Sequence, residues 1–113
     1  MQQPRALVFF GRSRRELEAF PITAQDEAIL QLRRVQQGLT PHDWKPMKTI
    51  GSGVTEIRIH DATGAFRVIY VAKLEDAIYV LRCFQKKSQK TSRADIDLAT
   101  RRYKQVIRGA RQL

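Results

Sequence analysis

The residues best able to do chemistry in this sequence are Arg58, Arg67 and Arg82, each inside a segment that reads as a β-strand. Glu56 and His60 flank Arg58, Phe84 lies two residues beyond Arg82, and Lys86, Lys87 and Lys90 follow in a basic loop. A guanidinium stays charged and binds phosphate through two parallel hydrogen bonds. Metal-free RNA cleavage by a neighbouring 2′-hydroxyl needs positive charge on the crowded phosphorane, a base near the hydroxyl and an acid for the leaving oxygen. Arg58, Arg67 and Arg82 suit the charge, Glu56 or His60 the base, and Lys86 or Lys87 the acid or a grip on the backbone. Lys90 and Lys48 would extend that grip, and Phe84 would stack a base. Each has a plainer reading. Glu56 can pair with Arg58, His60 can be a surface residue, Phe84 can be core under the last helix, and the basic loop can gather counterions without catalysis.

The charge favours a polyanion. Lys and Arg number 21 against 11 Asp and Glu, a net charge of +10 on 113 residues. So large an imbalance on so short a chain points first to nucleic acid, then to an acidic protein, then to a membrane surface. The length fits one domain over residues 1–113. Cys83 is the one cysteine, which leaves no internal disulfide and no cysteine cluster for zinc, and neither metal nor cofactor is expected. There is no apolar run of about 18 residues to cross a membrane. Met1-Gln2-Gln3-Pro4-Arg5 leads into no long apolar stretch, so no secretory signal is read and a cytoplasmic protein is expected.

Several elements must position these residues. Ala6–Phe10 is a short apolar run read as a strand, ended by Gly11. Ser13 is the expected cap of a short helix through Phe20, with Glu16 completing a capping box. A longer helix is expected from Thr23, with Ala28, Leu32, Val35 and Leu39 on one face and Gly38 and Pro41 at its end. Residues 40–53 read as irregular, with Trp44 a packing anchor. Strands follow at about 54–60, 65–72 and 77–84, joined by Asp61-Ala62-Thr63-Gly64 and Lys73-Leu74-Glu75-Asp76. Ser92 should cap a last helix with Ile96, Ala99, Tyr103 and Val106 as its apolar stripe. The order β-α-α-β-β-β-α, with short strand connections, predicts an α+β fold with a mainly antiparallel sheet, two N-terminal helices and a C-terminal helix.

Pairing the strands through two four-residue loops places His60 opposite Ala65 and Ala72 opposite Ala77. Ile57–Val68–Leu81, Ile59–Phe66–Cys83 and Thr55–Tyr70–Tyr79 then form one apolar face for the helices. The other face carries Arg58–Arg67–Arg82 as a row roughly 10 Å long, between the rows Glu56–Ile69–Val80 and His60–Ala65–Phe84. Like charges directly opposite one another weaken a sheet, so the row is costly unless it holds phosphate. The alternative is three splayed, solvated arginines.

The stretches Trp44-Lys45-Pro46-Met47-Lys48, Gly51-Ser52-Gly53-Val54-Thr55-Glu56-Ile57-Arg58-Ile59, Phe66-Arg67-Val68-Ile69-Tyr70, Phe84 through Thr91 and Asp95-Ile96-Asp97-Leu98-Ala99 resemble the phage-derived, HigB-like branch of the RelE/ParE toxin superfamily. The resemblance covers nearly the whole chain. It implies a RelE-like fold and a toxin of a type II toxin–antitoxin pair, held off by a helix-turn-helix antitoxin. RelE-type members cut mRNA on the ribosome without a metal, whereas ParE-type members poison DNA gyrase. A non-catalytic RNA-binding module is a third class. The resemblance places basic site residues at Arg58, Arg67, Arg82, Lys86, Lys87 and Lys90. The chain departs from RelE in carrying Glu56 where a lysine is often assigned as base, and in lacking a tyrosine early in its C-terminal segment.

Overall fold

The computed structural model describes residues 4–72 and 77–111. Eight elements run in the order β1 (Ala6–Phe9), α1 (Ser13–Glu18), α2 (Ile22–Gln36), β2 (Trp44–Pro46), β3 (Val54–Asp61), β4 (Gly64–Val71), β5 (Ala77–Lys86) and α3 (Arg93–Arg111). The strands form one sheet in the order β1-β5-β4-β3-β2, with β1 parallel to β5 and the other pairs antiparallel. The expected α+β class holds. The expected loop Lys73–Asp76 and residues 1–3 lie outside the described residues.

α2 forms because Ala24, Ala28, Leu32 and Val35 recur on one helical face, and all four are buried. With α1 they cover Ile57, Ile59, Phe66, Val68 and Cys83 on one face of the sheet. α2 ends at Gln36, and Gly38 then takes a positive φ of 83°, a conformation that glycine adopts without a steric penalty. Leu39, beyond that end, is therefore exposed rather than part of the stripe. The opposite sheet face is not open. α3 lays Ile96, Ala99, Tyr103 and Val106 against Ile69, Val71, Leu81 and Phe84. Its start is capped as expected: the Asp95 amide donates to Ser92 Oγ (3.1 Å), and Ser92 Oγ donates to Asp95 Oδ2 (2.6 Å).

The expected caps of the first two helices are not made. Arg12 and Pro21 occupy the N-cap positions, without side-chain cap hydrogen bonds. Ser13 is buried, and Glu16 turns away to Arg82 and Arg102. Thr23 Oγ1 instead donates to Asp61 Oδ2 at 2.8 Å. Charge-assisted bonds to arginine outweigh a neutral cap for a partly buried carboxylate. Trp44 is not a packing anchor either. It stands on the edge strand β2, 42% exposed.

The β3–β4 register is the expected one, with Ile57 opposite Val68, Arg58 opposite Arg67 and His60 opposite Ala65. The β4–β5 register differs. Arg67 faces Phe84, Val68 faces Cys83 and Ile69 faces Arg82. A bulge follows, with Tyr70 opposite Val80 and Val71 opposite Tyr79, so Leu81 has no partner. One extra residue on β5 turns Leu81 and Tyr79 to the α3 side and Ile78 and Val80 to the α1/α2 side. The cause is the unbroken apolar run Ala77–Leu81. With both sheet faces buried, nothing in such a run fixes which side chain points where.

Candidate functional site

Glu56 lies at the centre of the arginine face and is only 1% exposed. Its Oε1 sits 3.7 Å from Arg58 Nε and 3.6 Å from Arg67 Nε, ion-pair distances just beyond hydrogen-bonding range. Its Oε2 accepts a hydrogen bond from Thr91 Oγ1 at 3.1 Å, which ties down the end of the basic loop. Arg67 is 4% exposed, and its Nη1 donates to the Phe66 carbonyl at 3.0 Å. Burial and the nearby Arg58 charge push the Arg67 guanidinium below its ordinary range, against the pull of Glu56 and Asp43. It remains charged, as arginine does in proteins. Glu56, Arg58 and Arg67 therefore form one partly buried cluster under the surface.

Arg82 is not part of the arginine row, because the bulged register sets it opposite Ile69. Its Nε and Nη2 donate to Asp95 Oδ1 at 3.0 and 2.8 Å, and its Nη1 lies 2.8 Å from Glu16 Oε2. Burial alone would push Arg82 down, but the two carboxylates hold it above its ordinary range. Arg102 Nη1 and Nη2 donate to the same Glu16 at 2.9 Å each. Two carboxylates and two arginines thus clamp α1, β5 and α3 together. Phe84 is 7% exposed within the α3 core, with the Arg82 guanidinium 5.8 Å from its ring centre, so it offers no open face for stacking.

The open chemistry lies where the strand ends meet the loops. A cleft of about 540 Å³ is lined by Lys45, Lys48, Arg58, Lys86 and Lys90, with Gln89, Thr91 and the apolar floor of Met47 and Ile96. Among the described residues, no carboxylate lines it. A second cleft of about 420 Å³ continues past Lys86 and Gln89 and brings in His60, Arg67, Lys87 and Ser88. Lys86 borders both. Partial loss of solvent, together with Arg67, Arg58 and Lys45, pushes the Lys86 ammonium below its ordinary range, against the pull of Glu56. His60 is exposed beside it.

The structure thus gathers Arg58, His60, Lys48, Lys86, Lys87 and Lys90 around one surface, puts Glu56 and Arg67 beneath it and sets Arg82 and Phe84 apart. Lys45 is a cleft residue that sequence reasoning missed. It pairs with Glu56 across β2–β3, and a three-residue edge strand inside a segment read as irregular gave no register to find it by. Among the described residues, no three His, Cys, Asp or Glu side chains come together as a metal site requires. None of the described helices is long and apolar enough to cross a membrane.

The fold and site define a basic α+β protein, one sheet between two helical layers, with a cationic cleft at the ends of its strands. More specifically, the chain belongs to the phage-derived protein Gp49-like (DUF891) family, whose model matches residues 15–104. That family lies within the RelE/HigB-like toxin–antitoxin superfamily. The matched residues run from α1 into α3 and take in every side chain of the cleft. No curated protein matches the chain.

Proposed function

We propose that this chain is the toxin of a type II toxin–antitoxin pair and a ribosome-dependent mRNA endoribonuclease of the cytoplasm, folded as a single domain. The observation that carries this reading is the cleft lined, among the described residues, by five cations and no carboxylate. Such a lining releases counterions from phosphate and gives salt-sensitive binding to nucleic acid. In the reaction, His60 takes the proton of a 2′-hydroxyl as that oxygen bonds to the adjacent phosphorus. The bond to the 5′-oxygen breaks, and the Lys86 ammonium returns a proton to it. The products are a 2′,3′-cyclic phosphate and a free 5′-hydroxyl. Arg58 carries the phosphorane charge, and the protein's own cations suffice for this step.

His60 is preferred to Glu56 as base because it is exposed in the same cleft as Lys86, while Glu56 is shut in by two arginines. Arg67 and Arg82 act as positioning residues, the first under Arg58 and the second at the root of α3. Lys45, Lys48, Lys87 and Lys90 hold the backbone. The cognate helix-turn-helix antitoxin would cover this surface with acidic or apolar groups.

Mapping transcript ends after brief induction tests the reading, with wild type beside Lys86→Ala and Arg58→Ala. New ends inside translated frames, lost in both variants, are expected. Growth arrest with DNA breaks and no new ends would move the target to gyrase. RNA binding with neither cutting nor arrest would reduce the protein to a binding module.

A further inference from the structure

A third cavity, of about 330 Å³, adjoins the two cationic clefts and differs from them in charge. Arg58 lines it and the first cleft, and His60 lines it and the second. These two side chains are the boundary. Beyond them the lining turns acidic, with Glu27, Asp43 and Asp61, which repel phosphate. Two of these carboxylates are occupied. Asp61 accepts from Thr23 and Thr63, and Glu27 Oε1 accepts from Gln31 Nε2 at 2.7 Å. Asp43 is different. It is exposed, and its backbone carbonyl, rather than its side chain, accepts the Arg58 amide at 2.8 Å. That bond fixes its backbone to β3, and its exposed carboxylate lines the cavity without a hydrogen bond or an ion pair to a side chain among the described residues, its charge felt by Arg67.

The neighbouring His42 is oriented from below. Gln31, 2% exposed, accepts the His42 amide through Oε1 (2.8 Å) and presents Nε2 to His42 Nδ1 (3.0 Å). Since an amide nitrogen only donates, Nδ1 accepts, and the neutral ring carries its proton on Nε2. The cavity therefore offers a carboxylate that accepts two parallel hydrogen bonds and an imidazole N–H that donates one. Among the four RNA bases, only the Watson–Crick edge of guanine supplies the complement, with N1–H and N2–H as donors and O6 as acceptor. Adenine and cytosine have one donor group on that edge, and uracil has one N–H between two carbonyls.

We propose that this cavity is a guanine-selective base pocket. It would receive the base of the nucleotide whose 2′-hydroxyl faces His60, with the Asp43 carboxylate and His42 as the discriminating groups. The inference rests on the ribonuclease reading, because the same His60 borders both the pocket and the reacting phosphate. Its energetic basis is separate, since a well-placed bidentate pair discriminates against the wrong base by about five- to 150-fold.

The test uses the purified full chain and short RNAs carrying a 2′-deoxy sugar at one position, so that binding is read without cleavage there. Guanine, inosine and adenine are placed at that position. Wild type is expected to bind the guanine RNA at least about fivefold tighter than the other two, inosine losing the N2–H bond. Asp43→Asn is expected to abolish the preference, so that the guanine, inosine and adenine RNAs bind within about twofold of one another, whatever the loss of a negative charge does to affinity for all three. Tight, salt-sensitive binding without base preference in wild type would overturn the pocket and leave the cleft intact. So would an unchanged preference in Asp43→Asn, including the case where that variant instead weakens antitoxin binding. No binding of any RNA by the free chain would overturn the pocket, while the ribonuclease reading stands or falls on transcript-end mapping.

Discussion

Replacing Glu56 by glutamine separates a structural role for this residue from a chemical one. The change keeps the shape and the hydrogen bond from Thr91, but removes the negative charge 3.7 Å from Arg58 Nε and 3.6 Å from Arg67 Nε. Arg58, with its side chain 33% exposed, can turn towards water, so its share of the loss is small. Arg67, at 4%, cannot, and is left as a buried cation without its ion-pair partner, with only the charge of Asp43, beyond ion-pair distance, to offset it. Removing one partner of a buried pair costs about 3–5 kcal/mol, which for a chain of this size lowers Tm by roughly 10–20 °C. Urea denaturation followed by far-UV circular dichroism at neutral pH reads the loss. The double variant Glu56→Gln/Arg67→Met removes both charges and should lose less than the two single variants added together, by at least about 1 kcal/mol. A cost below about 1 kcal/mol for Glu56→Gln, or strict additivity in the cycle, would refute the argument that Glu56 exists to hold Arg67.

Acid should loosen the clamp of α1, β5 and α3. Burial alone would raise the Glu16 carboxyl, but the bonds from Arg102 and the Cys83 amide and the charges of Arg82 and Arg102 hold it below its ordinary 4.5. A carboxyl lowered on folding stabilises the protein above its unfolded value, and that contribution is lost as pH falls through the folded one. Stability should therefore decline below about pH 4.5, and Glu16→Gln should flatten that limb of a stability–pH curve. Gly51→Ala places a methyl 2.3 Å from the Tyr103 ring, so about 1–3 kcal/mol should be lost in thermal or urea unfolding, and Tyr103→Leu in the same chain should recover most of it. Burial pushes the Cys83 thiol far above its ordinary range, so it should resist iodoacetamide in the native protein and react once urea unfolds it.

What could be read from the sequence follows from where the alternation of residue types was informative. On β3 and the first half of β4, apolar and polar residues alternate, and the pairing Ile57–Val68 beside Arg58–Arg67 is legible from that alone. On β5 the run Ala77–Leu81 is apolar at every position, so the bulge and the displacement of Arg82 were hidden. The capping of α3 was legible because it is local: Ser92 Oγ bonds the Asp95 amide and Asp95 Oδ2, while Arg82 takes only the other oxygen, Oδ1. That of α1 was not, because Glu16 is claimed by Arg82 and Arg102, and Arg102 lies 86 residues away in sequence. Lys86, Lys87 and Lys90 announced the basic loop, but the partner side of the cleft, Lys45 on β2, depends on a three-residue edge pairing that leaves no pattern.

The paired arginines of β3 and β4 looked like a phosphate site because like charges in register weaken a sheet. The structure resolves that tension in another way. Glu56, two residues from Arg58 on the same strand and diagonal to Arg67, is near enough to offset both charges from a single oxygen. The row is thereby tolerated, with Arg58 lining the first cleft and Arg67 the second. The surface charge is supplied instead by lysines on the edge strand, the loops and the end of β5, none of which forms an ion pair among the described residues. The division has a physical logic. Arginine keeps its charge at a buried position, whereas the ammonium of half-buried Lys86 is lowered by partial loss of solvent and then by the neighbouring cations. In the proposed reaction the two groups that move protons, His60 and Lys86, therefore lie outside the arginine row, and Arg58 alone enters it from the row.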